Sequence, residues 1–293
     1  MATTTLAEVQ YQIEKFWSPV FMDQLKEKAL LPTLVNKDYS GQIRKGGDQV
    51  RVSQINRPVG EMRTIGVDAN VFNPEKLSTS YVDVQATKRI VASFEFEDLV
   101  DLQSQIGDQD SKIRQVLLEA CELQLNKYCY SMVSPSLAAP DHSISGVTDF
   151  NATALLNVRK LASQAYWGDG EKWLLVDPSY MNDLLNAMTM TSNDYVPDSP
   201  VVAGQIALKR FGFNILEDNS SAMTQYLGAT SGTDCALAFH PDWLLLVMQD
   251  MPQFKVSDLH GNKQFGYVIS VDFWAGASLS ISGAVKHIRV YNA

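Results

Sequence analysis

The sequence predicts an α+β protein, and three stretches carry that prediction. One helical stretch, 108–133, is far longer than any other candidate. Residues 48–94 alternate apolar and polar side chains with period two, on both sides of a turn-rich segment. Residues 151–250 interleave short apolar strands with short helical patterns.

The long helix reads DQDSKIRQVLLEACELQLNKYCYSMV from Asp108 to Val133. Ile113, Val116, Leu117, Ala120, Cys121, Leu125, Tyr128 and Met132 recur in steps of three and four, which places one apolar stripe on a helix. Asp110 or Ser111 supplies a cap, because a short oxygen-bearing side chain accepts from the first free N–H groups. No Gly or Pro interrupts it before Pro135. At roughly seven turns it spans about 35–40 Å. One stripe on so long a helix predicts a beam that supports other elements and leaves its other face to solvent or neighbours. The stripe residues Ile113, Leu117, Cys121 and Tyr128 are its expected core.

The 293-residue chain, 45% apolar and 19% charged, has the composition of an ordinary globular protein with a real core. Its net charge of -9 argues against tight wrapping of DNA, which requires neutralising phosphates with Lys and Arg. The N-terminal residues lack a basic leader followed by an apolar run, so no signal peptide is expected. No apolar run is long enough for a membrane span. The three cysteines suit a reducing compartment; Cys121 and Cys129 stand roughly 12 Å apart along the helix, too far to bridge.

Before the ribbon, Val9, Ile13, Phe16 and Trp17 share one face of a short helix, and a second is expected from Val20 to Leu30, ahead of Pro32. Lys45-Gly-Gly-Asp turns the chain into a strand. Val50 and Val52 start the alternation; Val82, Val84, Ala86, Ile90, Ala92, Phe94 and Phe96 resume it. This predicts one long two-stranded excursion. An isolated ribbon is barely stable in water, so it must lie on something. Arg44, Lys45, Arg51, Arg57 and Arg63 make it basic, whereas Glu95, Glu97, Asp98, Asp101, Asp108 and Asp110 follow with no cation among them. Opposite signs on two exposed elements suggest contact between copies; ordinary solvated faces explain them equally well.

In the second half, Asn151 caps a helix with Leu155, Val158, Leu161, Ala162 and Ala165 on one face. Trp173–Val176 is wholly apolar, the mark of a strand buried on both faces. Asp177-Pro178 opens a helix that uses Met181, Leu184, Leu185 and Met188. Polar loops are expected at 189–203 and 218–234, with a strand near Phe213–Leu216 between them. Cys235 begins another strand, Pro241-Asp-Trp a short helix, and the chain ends in alternation through Tyr267, Ile269, Val271, Phe273, Leu279, Ile281, Ile288 and Val290.

A search for chemistry yields no catalytic, cofactor or metal residues. There is no phosphate-binding loop and no dinucleotide fingerprint. Gly228-Ala-Thr-Ser-Gly232 has its serine in the wrong place for a nucleophile elbow. None of His142, His240, His260 and His287 has a partner at helical metal-ligand spacing; His240 near Cys235 and Asp242 is better read as a capped helix start before Pro241. Phe16-Trp17 is a local anchor or a subunit contact. Scattered Trp167, Trp173, Trp243 and Trp274 suit core filling.

The order of elements and several phrases resemble the tailed-bacteriophage major capsid proteins, across nearly the whole chain. The phrases are Leu34-Val-Asn-Lys-Asp-Tyr with Lys45-Gly-Gly-Asp-Gln-Val-Arg-Val, Gly204-Gln-Ile-Ala-Leu-Lys-Arg-Phe-Gly-Phe-Asn-Ile, and Ala236-Leu-Ala-Phe-His-Pro-Asp-Trp. The resemblance implies the HK97-like fold. It implies an N-terminal arm (1–47), an extended E-loop (48–94), and a peripheral domain with a spine helix (95–140). An axial α/β domain (141–258) and C-terminal strands returning to the peripheral domain (259–293) follow. Contacts between copies are then expected at Arg51, Arg57, Met62, Arg63 and Phe72 of the E-loop, at Glu95, Glu97, Asp98 and Asp101 before the spine helix, and at Phe16 and Trp17 of the arm. The implied function is self-assembly into pentamers and hexamers of an icosahedral head in the virion, built in the host cytoplasm. Implied partners are other copies, a separate scaffolding protein, a portal, a decoration protein and loosely contacted double-stranded DNA. No cofactor and no membrane are implied, and no lysine–asparagine crosslink pair is apparent. The alternatives are an encapsulin-like compartment shell, a soluble α/β enzyme resting on 151–250 alone, and a tail or adhesin-like binding protein.

Overall fold

The computed structural model describes residues 27–43, 49–65, 74–97, 110–133, 142–168, 170–187, 209–228, 233–249, 251–259, 261 and 265–292. In chain order the main elements are α1 (Leu31–Leu34), β1 (Gln49–Ile55), β2 (Thr79–Gln85), β3 (Lys88–Phe96), α2 (Asp110–Ser131), β4 (Ser143–Ile144), α3 (Ala152–Gln164), β5 (Trp173–Val176), α4 (Pro178–Asn186), β6 (Lys209–Arg210), β7 (Phe213–Glu217), α5 (Ser221–Leu227), β8 (Cys235–Phe239), β9 (Leu244–Met248), β10 (Gln253–Asp258), β11 (Tyr267–Leu279) and β12 (His287–Tyr291).

Strand β5 lies inside a six-stranded sheet of order β4-β12-β8-β5-β7-β6. Its apolar run serves two cores, because successive side chains point to opposite faces. Leu174 and Val176 face one core with Ala236, Ala238, Ile288, Val290 and helices α3 and α4. Leu175, with Cys235, Leu237 and Phe239 of β8, faces the other, which it shares with α2 and strands β3 and β11. Local signals set the flanking helices. Asn151 accepts from the backbone N–H groups of Thr153 and Ala154, and Asp177 from that of Ser179 ahead of Pro178. Phe211 and Gly212, at φ 47° and 88°, make the tight turn between β6 and β7.

The second sheet has the order β10-β11-β3, with β9 pairing a further length of β11. Helix α2 packs across it, burying Leu117 and Cys121 against Ile90, Val271 and Phe273. Its N-terminal half carries the one stripe expected. The C-terminal half does not: Leu125, Asn126, Cys129, Tyr130 and Val133 are all buried, because α1 and α5 cover it from further sides. Ala120, assigned to the stripe, is exposed. The proposed caps Asp110 and Ser111 carry side chains outside the described residues.

Several boundaries differ from expectation. The excursion is a ribbon of β1 and β2 alone, paired from Gln49↔Gln85 to Ile55↔Thr79. Residues 88–96 leave it and pair with β11. The even-numbered apolar positions stay in phase from Val82 to Phe96, so period alone cannot reveal the change of sheet. The region 141–258 is likewise divided, since β9 and β10 join the sheet under α2. Of the C-terminal strands only β11 joins that sheet; β12 pairs with β8 in the six-stranded one. Residues 27–30 are not helical, and Pro32 opens α1 at an N-terminal position where its missing N–H costs nothing. The loop 218–234 contains α5.

The ribbon base crosses β11 at Gly276, where an added Cβ would lie 1.9 Å from the carbonyl oxygen of Gln85. Gly276→Ala is therefore expected to lose about 1–3 kcal/mol in urea unfolding, because backbone must shift to admit it. Gly41→Ala, which meets nothing within 4 Å, is the control and should stay within about 0.5 kcal/mol. Equal midpoints for the two variants would refute this close approach.

Candidate assembly surfaces

The ribbon is held at its base and left bare beyond it. Val50 and Val84 are buried against Ile43, Leu245 and Val247 in a small core. Past that point the described tip has no cover: Ile55 is 65% exposed, Val59 76%, Met62 98%, Ile65 100% and Leu77 78%. Polar pairs keep the strands together instead. Arg51 and Asp83 stand directly opposite in register and form two hydrogen bonds of 2.7 and 2.9 Å. The same guanidinium lies 4.2 Å from the centre of the Tyr81 ring. Its hydrogen bond holds the Asp83 carboxyl below the usual carboxylate range. Asn56 bonds Ser78 and Ser80, and Glu75 accepts from the Val59 N–H.

These pairings alter the electrostatic expectation. Arg51 is neutralised within the ribbon, and Arg63 pairs with Glu61 two residues away at 2.7 Å. Arg57 is exposed and forms no ion pair among the described residues. The exposed character of the tip is thus apolar more than basic. Met62 is almost fully exposed on it; Phe72 lies outside the described residues. Glu95 near the end of β3 and Glu97 just past it are exposed, as expected of a solvated strand end. Asp98, Asp101, Phe16 and Trp17 lie outside the described residues.

Of the expected helix core, Leu117 and Cys121 are buried, while Ile113 and Tyr128 are partly buried against the same cluster. The Tyr128 hydroxyl oxygen accepts from the Ala277 N–H at 3.1 Å, tying α2 to the end of β11. A buried polar network escaped the sequence reading. The Tyr130 hydroxyl donates to Asp218, which also accepts from the Ser220 N–H at 2.9 Å. Asn126 donates to the Ser220 hydroxyl at 3.2 Å. Nothing in the spacing marks Tyr130, which lies off the expected stripe. A basic groove beside the β6–β7 turn was also missed; its residues come from three separate stretches.

The described residues hold no group of three or more His, Cys, Asp and Glu placed for a metal. Burial pushes the Cys129 thiol up to about 12 and raises that of Cys235. Such thiols are poor nucleophiles and poor ligands. His240 accepts at Nδ1 from the Asp242 N–H at 3.3 Å, the cap read from Pro241, and burial lowers its basicity. Among the described residues no helix is long and apolar enough to cross a membrane.

No protein-family model and no curated protein matches the chain. Solved structures do match over almost its whole length. A cyanophage Pam1 capsid asymmetric unit aligns with TM-score 0.73 and 14% identity, covering 100% of this chain and 99% of that one. The capsid structure of cyanophage P-SCSP1u gives TM-score 0.73 and 12% identity, over 97% and 94%. A structure from Mycobacterium phage Che8 gives 0.71 and 17%, over 96% of each chain. The chain is a mixed α+β protein that shares its fold with these phage structures, two of them capsid structures.

Proposed function

We propose that this chain is a major capsid protein of the HK97 type, a structural rather than catalytic protein that assembles into the shell of a phage head. The observation that carries the proposal is the bare apolar ribbon. Contiguous exposed apolar surface marks an interaction site in a soluble protein. Ile55 at the end of β1 and Val59, Met62, Ile65 and Leu77 in the segments beyond the strands stay exposed in the subunit, and lying on another molecule would bury them. In a shell built from one chain that molecule is a neighbouring copy. The likeness to phage capsid structures supports the same reading.

On this reading the ribbon is the E-loop and α2 the spine helix. The sheet under α2 belongs to the peripheral domain, and the six-stranded sheet to the axial domain. A separate scaffolding protein and a portal are the partners expected of such a shell, with a decoration protein as a further candidate. The acidic balance of the chain keeps its contact with packaged DNA loose. Electron microscopy of the purified chain, alone and co-expressed with its neighbouring genes, tests the function. Closed shells, tubes or capsomer rings are expected. A chain that stays monomeric at high concentration under both conditions overturns the proposal.

A further inference from the structure

A cavity of about 550 Å³ opens at one end of the six-stranded sheet, between the C-terminal end of α3 and the β6–β7 turn. Arg159, Lys172 and Lys209 line it, and its described lining includes no carboxylate. None of the three forms an ion pair among the described residues. In sequence, Glu171 sits between the lining residues Gly170 and Lys172 and is exposed. Asp242 also lies at this end and is engaged with Asn36 and His240. Two aromatic residues border the cavity, Tyr166 and Phe211, and both have left-handed backbone, φ 56° and 47°. They are the two such non-glycine residues among the described ones. That conformation costs roughly 1–2 kcal/mol which glycine would avoid, so the rings occupy these positions at an energetic cost. Tyr166 is 93% exposed.

The opposite end of the same sheet has the opposite charge. Strands β5 and β7 are parallel, so both begin at the cavity and end roughly 13 Å away. Asp177 and Glu217 stand at those far ends, and Asp234 precedes β8 beside them. None forms an ion pair among the described residues. Burial raises the Asp177 carboxyl, and the charges of Asp234 and Glu217 raise it further. The nearby cation, Arg289, already donates to the carbonyls of Leu227 and Gly228.

We infer that the basic groove receives the acidic end of the next copy's six-stranded sheet, joining copies head to tail. Donor and acceptor are different surfaces of one chain, the condition for a ring that closes by rotation. Facing patches of opposite sign steer the encounter and fix its register. The exposed Tyr166 supplies the apolar contact at its rim, whereas Phe211 packs partly against its own subunit's core. This inference rests on the capsid reading, since a capsomer is such a ring.

The test is a charge swap. One variant carries Lys172→Glu and Lys209→Glu; the other carries Glu217→Lys and Asp234→Lys. Each alone places like charges across the contact and should weaken association at least about a hundredfold, read by sedimentation velocity and electron microscopy. Mixed in equal amounts, the two restore opposite signs at every contact of an alternating ring, and six-membered rings should return. If a reversed variant fails to fold by circular dichroism, the neutral pairs Lys172→Gln/Lys209→Gln and Glu217→Gln/Asp234→Asn give the same test with a smaller loss. Variants that assemble like the unmodified chain, or a mixture that stays monomeric, overturn the inference and leave the capsid reading standing. An unmodified chain that never assembles counts against the capsid reading itself. A nucleic-acid strand is the other occupant of this chemistry. It would appear as an oligonucleotide mobility shift lost in Lys172→Glu/Lys209→Glu with assembly unchanged, and that result also overturns the inference.

Discussion

Replacing Val59, Met62 and Ile65 together with serine is expected to leave the subunit folded and to abolish shells. All three are exposed, at 76%, 98% and 100%, so the isolated chain loses little burial and its stability should move by no more than about 0.5 kcal/mol. The assembled state loses much more. Full burial of a side chain of this size is worth about 1.5–3 kcal/mol, and each subunit would both give and receive the contact. Even half of the summed loss, taken at about 1.4 kcal/mol per factor of ten, weakens each contact by roughly fortyfold to a thousandfold. Thermal unfolding reads the first expectation and negative-stain microscopy the second. Deleting 57–73 should act the same way. A triple-serine variant that unfolds at the same temperature and still forms closed shells would remove the ribbon from the assembly.

Much of this architecture was legible because single elements carry strong local signals. Asn151 and Asp177-Pro178 announce their helices through caps that satisfy free N–H groups, and Trp173–Val176 announces a doubly buried strand by having no polar residue. What stayed hidden depends on which distant segments meet. The break between β2 and β3 leaves the apolar phase unchanged, so no residue in 82–96 discloses that one strand has become two. Burial around the last turns of α2 comes from α1 and α5, which lie far away in sequence. The pairing of Arg51 with Asp83 needs the register of the ribbon, which a turn-rich segment of uncertain length cannot supply. The basic groove draws Arg159, Lys172 and Lys209 from separate segments, and only the fold sums their charge.

Tyr130→Ala is expected to be among the most damaging single changes to the subunit itself. Tyr130 is fully buried in the core shared by both sheets, and truncating a buried aromatic residue there costs about 3–5 kcal/mol through lost burial and the cavity left behind. That is a large fraction of the roughly 5–15 kcal/mol that holds a domain folded. Tyr130→Phe separates the hydroxyl from the ring. It leaves the buried Asp218 carboxyl without one donor and should cost about 1.5–3 kcal/mol. The pH dependence follows from Asp218. Burial raises its carboxyl above the ordinary 3.8, although the Tyr130 hydroxyl and the Ser220 N–H pull it down. A carboxyl raised on folding contributes stability that is full below its unfolded value and is lost as pH rises through its folded value. Removing the Tyr130 donor raises it further and widens that window. The phenylalanine penalty should therefore be largest at neutral pH and shrink as pH falls toward 3.8. Urea unfolding of both variants and the parent at acidic and neutral pH measures it. An equal phenylalanine penalty at both would mean that the hydroxyl does not serve the ionised carboxylate. A loss below about 0.5 kcal/mol would mean that Asn126, Ser220 and the backbone already tie α2 to the six-stranded sheet without it.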